Sequence, residues 1–157
     1  MNNIDEKYML EALYQAKKAY DEDEVPIGCV IVKDGNIIAK SHNTVEGDKK
    51  ATSHAEINAI NEASQVIGDW RLNGATMYIT KEPCSMCAGA IVRARIDRLV
   101  IGLLDPKRGC AGSVYNLVDD ETFNHRVQLT SGVLMEESRK LLQDFFREKR
   151  NTRDIDE

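Results

Sequence analysis

Ser53-His54-Ala55-Glu56, followed by Pro83-Cys84-Ser85-Met86-Cys87, is the pair of segments around which the chain must close. Neither segment does chemistry alone. Read together as H-x-E and P-C-x-x-C, they offer one imidazole and two thiols. Zinc binds neutral imidazole and thiolate, and a catalytic zinc site uses three protein ligands with the fourth position left for water. His54, Cys84 and Cys87 supply that set. The metal makes its water acidic enough to attack near neutral pH. Glu56, two residues beyond His54, can stand beside the ion without binding it and carry protons.

The elements that bring these segments together follow from periodicity. Residues 4–20 carry Tyr8, Met9, Ala12, Leu13, Ala16, Ala19 and Tyr20 at helical spacing, and Pro26 forbids continuation. The branched apolar run 27–32 predicts a buried strand. Asp34-Gly35 tolerates the positive φ of a tight hairpin turn, so 36–43 is its antiparallel partner. Residues 44–53 are polar and predict a loop. A second helix starts near His54, with Ser53 or Thr52 as its N-cap, and ends near Ile67 before Gly68. A third strand covers 75–80. Pro83 then opens a helix over 84–93. A fourth strand follows over 98–104, a loop or short helix over 105–116, and a weak fifth strand over 127–130. The last helix runs over 136–149, with a frayed polar tail after it. One domain spanning 1–157 is expected: a three-layer α/β/α sandwich around a mixed five-stranded sheet.

Both metal-binding segments fall at helix starts. Cys84 and Cys87, three apart, share a helix face. The free N–H groups and dipole of a helix N-terminus favour thiolate over thiol. Other readings of the parts stand beside this one. A C-x-x-C pair in an α/β protein also fits a thiol redox protein. A structural zinc needs a fourth ligand, which Cys110, His42 or His125 can offer. A zinc-stabilised RNA-binding scaffold would have no use for Glu56. Cys29, in an apolar strand, reads as packing.

Charge and composition exclude some classes. The 157 residues are 42% hydrophobic and 30% charged, with a net charge of −5. No apolar run reaches membrane-spanning length. Residues 1–6 carry neither the basic nor the apolar region of a signal peptide, so a cytoplasmic protein is expected. In a reducing compartment the four cysteines argue for metal or catalysis over disulfides. Charge is uneven: residues 91–110 hold five cations against two acids, and residues 139–153 hold six against two. Such local basic surface can bind phosphate despite an acidic total, although solvated helix faces carry charge for no other reason.

The H-x-E and P-C-x-x-C signature is that of zinc nucleobase deaminases. The chain resembles the bacterial tRNA-specific adenosine deaminases over nearly its whole length. The matching stretches include Glu24-Val25-Pro26-Ile27-Gly28, Asn43, His54-Ala55-Glu56-Ile57, residues 81–90, Asp105-Pro106-Lys107 and Gly112-Ser113. Asn124-His125-Arg126-Val127 and Asp144-Phe145-Phe146-Arg147 are more particular to the tRNA-acting branch. The resemblance implies a cytidine-deaminase-like fold, a homodimer, one zinc per chain, and conversion of adenosine to inosine at the wobble position of a tRNA anticodon. It implies that His54, Cys84 and Cys87 bind zinc and that Glu56 is the general acid and base. Ile27, Asn43 and Ala55 match positions lining the nucleoside pocket. Asp105, Lys107, Phe146 and Arg150 match or neighbour its RNA-facing surface. Asp105 also reads as a carboxylate capping its own loop, and one of Phe145 and Phe146 must pack inward. The competing activity within the same superfamily is deamination of free guanine or cytosine, which needs no basic surface.

Overall fold

Alternate residues of the central strands point to opposite faces, and each face collects its own core. The computed structural model describes residues 3–156, with side chains through residue 152. Helix α1 spans Asn3–Asp21, strand β1 Gly28–Lys33 and strand β2 Asn36–His42; then come helix α2 Val45–Asp48, helix α3 Ala55–Ile67 and strand β3 Ala75–Lys81. Helix α4 Ser85–Arg93, strand β4 Arg98–Leu103, strand β5 Gln128–Ser131 and helix α5 Met135–Asp156 complete the order. Cys29 and Ile31 of β1, Met77 and Ile79 of β3, and Leu99 and Ile101 of β4 pack with Ala55, Ala59, Ala88 and Ile91 of α3 and α4. Val30, Val32, Tyr78 and Val100 pack instead with Tyr8, Met9 and Ala12 of α1. Burying each such aliphatic side chain contributes roughly 1.5–3 kcal/mol.

The strand order is β2-β1-β3-β4-β5. β1 is antiparallel to β2 and β3, whereas β3, β4 and β5 are parallel, so the sheet is mixed as expected. The β1–β2 hairpin closes through Asp34 (φ 52°) and Gly35 (φ 76°), the positive-φ pair its sequence announces. Parallel strands cannot be joined by a hairpin, and α4 makes the crossover from β3 to β4. That crossover carries the end of β3 straight into Pro83 and Cys84. The fold is the three-layer sandwich expected of a cytidine-deaminase-like protein.

At the far end of the sheet, Asp5 of α1 is buried and receives Arg98 through two hydrogen bonds of 2.8 and 2.6 Å and Tyr78 through one of 3.0 Å. This network ties α1 to β3 and β4 across the whole domain.

Several boundaries differ from the sequence expectation, each for a physical reason. The segment 44–53 is not all loop: it contains α2, whose Glu46 and Gly47 amides donate to the buried carboxylate of Glu24 at 2.9 and 2.7 Å. The N-cap of α3 is His54, not Ser53 or Thr52. Pro83 stands one residue ahead of the α4 N-cap, Cys84, not at the first helical position. Helix α5 continues to Asp156 through the residues expected to fray, since no Gly or Pro interrupts them and Thr152 Oγ1 donates to the Glu148 carbonyl.

Candidate metal and substrate site

Helices α3 and α4 converge at their N-termini, and each presents a candidate ligand at its cap. His54 (φ −74°, ψ 154°) and Cys84 (φ −74°, ψ 179°) are both extended and neither caps its own helix through its side chain. A conventional Ser or Asp cap would spend its side chain on the first-turn amides. Here those side chains are free to face each other, and the positive ends of both helices face the same point. Cys87 comes from the first turn of α4 and is buried, while His54 and Cys84 are half-buried.

His54 Nδ1 lies 3.6 Å from Cys84 Sγ and 3.4 Å from Cys87 Sγ. Among the described residues these three form the His/Cys/carboxylate group able to hold a metal, with ligand atoms within 4.8 Å of one another. The geometry fits zinc. Tetrahedral bonds of about 2.3 Å to sulfur and about 2.0 Å to nitrogen separate the two ligand types by about 3.5 Å. None of the three further residues weighed as a fourth ligand joins them. His42 contacts Gln15 and Glu22, His125 contacts the Ile96 carbonyl, and the Cys110 thiol faces the Arg108 carbonyl. A three-ligand set leaves one position open, which suits a catalytic rather than a closed structural metal.

The acid–base properties match the layout. A hydrogen bond from Cys87 is the largest influence on Cys84 and holds its thiol down to about 5; the same bond and burial push the Cys87 thiol up. Cys84 is thus the more readily ionised of the two, and a thiolate is favoured where a cation would bind. Glu56 is 4% exposed. Burial pushes its carboxyl up to about 7 and the nearby Cys84 adds to the rise, opposed by a hydrogen bond from its own backbone amide, by His54 and by a hydrogen bond with Cys87. A carboxyl poised near neutrality can both take and give a proton.

A cleft of about 1070 Å³ opens beside His54. Its walls include Asn43, the α2 turn at Glu46 and Gly47, the segment 22–25, and Phe145, Phe146, Lys149 and Arg150 of α5. Asn43 is 7% exposed, yet its Oδ1 has no hydrogen-bond partner among the described residues. Asn43 and Ile27 are neighbours, joined by an amide-to-carbonyl bond of 3.1 Å. Ala55 is fully buried at the start of α3. These three therefore gather at the metal end of the sheet.

The RNA-facing expectations divide. Phe145 packs inward at 5% exposure and Phe146 is 43% exposed, so one of the pair points in and the other out. The Asp105 carboxylate caps its own turn, accepting from the Lys107 and Arg108 amides at 3.1 Å and meeting Lys81 at 3.4 Å. Burial raises its pKa, and these amides and Lys81 outweigh that and hold it below the ordinary value. Lys107 is exposed. Of the cations on α5, Arg139 pairs with Glu136, Lys140 and Arg147 with Asp144, and Lys149 with Asp23. Arg150 has no acidic partner among the residues whose side chains are described. His125 and Arg126 staple the 117–127 loop, through the Ile96 carbonyl and Asp119.

Two carboxylates that organise the site were not assigned such a role from the sequence. The buried Glu82 accepts from the amides of Asp105, Ala111 and Ser113 and from the Ser113 hydroxyl, and so holds the 105–113 loop against the metal end. Gly109 is required there, because a Cβ would lie 2.2 Å from the Glu82 carboxyl carbon. Glu24 clamps α2 in the same way. The one visible signal was Glu82 directly before Pro83-Cys84.

Comparison with known proteins agrees with this geometry. Residues 3–150 match the model of the MafB19-like deaminase family. A tRNA-specific adenosine deaminase of Bacillus subtilis is 51% identical over 146 residues, covering 93% of this chain and 91% of the relative. One of Aquifex aeolicus is 44% identical, covering 93% and 96%. A structure solved in a study of A-to-I editing by tRNA:A34 deaminases superimposes with a TM-score of 0.84 at 43% identity, covering 87% of this chain and 99% of that one. A guanine deaminase of Nitrosomonas europaea, at 20% identity and a TM-score of 0.78, shares the fold. The chain belongs to this deaminase family, on the branch of the tRNA-specific adenosine deaminases.

Proposed function

We propose that this protein hydrolytically deaminates adenosine to inosine at the wobble position of a tRNA anticodon. The observation that carries the reading is the three-ligand group His54, Cys84 and Cys87, with Glu56 buried beside it, where His54 lines a cleft far larger than one nucleobase. His54, Cys84 and Cys87 would hold one zinc ion. Zinc, when bound, supplies Lewis acidity that brings the pKa of water to about 7.

The protein's own groups do the rest. Glu56 takes a proton from the attacking water and delivers it to N1 of adenine as the oxygen bonds to C6; it then takes the proton of the new C6 hydroxyl and passes it to the amine, which leaves as ammonia while C6 becomes a carbonyl. Asn43 offers its orphaned Oδ1 to a donor on the nucleoside, and Ile27 and Ala55 wall the base. Phe146 and Arg150 stand at the outer end of the cleft, where an exposed ring stacks a neighbouring base and a cation meets phosphate. The target must be unstacked, which costs least in a loop such as an anticodon.

The reading includes a homodimer acting in the cytoplasm, as the family likeness implies. Among the described residues no helix is long and apolar enough to cross a membrane.

The deciding experiment incubates the protein with a tRNA anticodon stem-loop and, separately, with free guanine or cytosine. Reverse transcription then reads inosine as guanosine. Fast turnover of a free base with no inosine in the stem-loop overturns the proposal in favour of a free-base deaminase.

A further inference from the structure

The last turn of α1 and the segment linking it to β1 grip both walls of the cleft. On one side Glu24 holds the α2 turn through the Glu46 and Gly47 amides. On the other, two polar contacts reach α5. The Tyr20 hydroxyl donates to Glu148 Oε1 at 2.5 Å, and Lys149 Nζ donates to Asp23 at 2.6 Å, the latter joining residues 126 apart in sequence. The aromatic rings continue the connection. Tyr20 meets Phe145 edge-on with centroids 5.8 Å apart, Phe145 meets Phe146 edge-on at 5.4 Å, and Lys149 Nζ lies 5.6 Å from the Phe145 centroid. A chain of contacts therefore runs from the end of α1, through a buried ring, to the exposed Phe146 at the cleft mouth.

We propose that Tyr20 and Asp23 are positioning residues that latch α5 to the end of α1 and thereby hold Phe146 and Arg150 where an RNA strand enters the cleft. The inference rests on the RNA-directed activity proposed above. It assigns Lys149 a structural task, although Lys149 stands on a basic helix beside Arg150. The opposite assignment is that Lys149 is a phosphate ligand restrained by Asp23. The two differ in sign. If Asp23 seats the helix, removing it weakens RNA binding. If Asp23 competes with phosphate, removing it strengthens RNA binding and adds one ion to the salt dependence. Partial exposure of the pair limits each contact to a modest effect.

The test uses the full-length, zinc-loaded protein and an anticodon stem-loop. Asp23→Ala and Lys149→Ala should each raise KM about three- to fivefold, with kcat and zinc content unchanged. The double variant should be no worse than either single one, because both remove the same contact. The exchanged pair, Asp23→Lys with Lys149→Asp, should recover most of the loss. Tyr20→Phe keeps the ring and should lose less than Tyr20→Ala. Amide exchange over residues 141–150 should quicken in Asp23→Ala while α3 and α4 stay protected, a readout that needs no substrate. A lower KM with a steeper salt slope in Asp23→Ala overturns the latch, and so does an unchanged KM in all these variants. If the wild type deaminates free guanine or cytosine but not the stem-loop, the functional reading falls. Unaltered amide exchange would then overturn the latch as well, whereas faster exchange would leave it standing as a clamp on α5.

Discussion

The metal end of the cleft and its α5 rim are built by opposite means. At the metal end the backbone decides the placement: two helix starts converge, and His54, Cys84, Cys87 and Glu56 follow because each is within three residues of a helix N-cap. Their side chains are short, buried or half-buried, and close together. At the rim the side chains are long and exposed, and they are placed by pairing with one another: Arg147 and Lys140 on Asp144, Lys149 on Asp23. Positions set by backbone carry chemistry that tolerates little displacement, whereas positions set by weak exposed pairs suit contact with a large, charged and adaptable partner.

The sharpest way to break this contrast is to remove a ligand. Cys87→Ala or His54→Ala should abolish zinc binding and activity together, and lower stability, because metal binding is coupled to folding. Metal analysis and thermal unfolding check this. Full zinc and full activity in either variant would remove the ligand assignment. Glu56→Gln comes next: zinc, fold and RNA affinity are retained, and kcat falls by about 10²–10⁴-fold. Loss of zinc in that variant would instead make Glu56 structural.

A third variant touches neither region and so calibrates both. Asp5→Asn leaves Arg98 facing a neutral partner and should cost roughly 2–3 kcal/mol of stability at neutral pH. The bonds from Arg98, set against burial and joined by that from Tyr78, hold the Asp5 carboxyl below its ordinary 3.8. A depressed folded-state pKa means the stabilisation is present above the unfolded value and lost as pH falls through the folded one. The difference in unfolding midpoint between wild type and Asp5→Asn should therefore shrink below about pH 4. A constant difference from pH 7 to pH 3 contradicts the role given to the pair. Metal content should not change.

The contrast also explains what could be read from the chain before its structure. Periodicity placed the helices and strands, and Asp34-Gly35 placed the hairpin, because these signals are local. The grouping of His54, Cys84 and Cys87 was legible for the same reason: spacing within His54-Ala55-Glu56 and Cys84-Ser85-Met86-Cys87 survives in one dimension. His54 as a helix cap was not, since Thr52 and Ser53 carry the usual cap chemistry one or two residues earlier. Glu24 and Glu82 escaped because their partners are amides 22–31 residues away, and an amide leaves no mark in a sequence. The ion pairs of α5 escaped in part. Asp144 lies within helical reach of Lys140 and Arg147, but Asp23 is an entire domain away from Lys149.

The smallest effect concerns which rim cations meet RNA. Arg147 and Arg150 are both on α5 and both exposed, so charge alone ranks them equally. Their surroundings do not. Arg147 lies 3.5 Å from Asp144, and any phosphate must compete with that carboxylate. Both line a groove with Leu103, Arg139 and Leu142, but of the two only Arg150 also lines the cleft that reaches His54. Each phosphate neutralised on single-stranded nucleic acid adds about 0.7 to the slope of log affinity against log salt. Arg150→Ala should therefore weaken stem-loop binding several-fold at low salt and flatten that slope by about 0.7. Arg147→Ala should change the slope by less than half as much, because the wild-type residue is already partly neutralised. The double variant should stay close to Arg150→Ala and retain zinc. Titrations of a labelled stem-loop between low and moderate salt separate these outcomes. Equal slopes for the two single variants would mean that exposure, not pairing, selects the phosphate contacts, and that the rim is a diffuse basic surface rather than a set of placed groups.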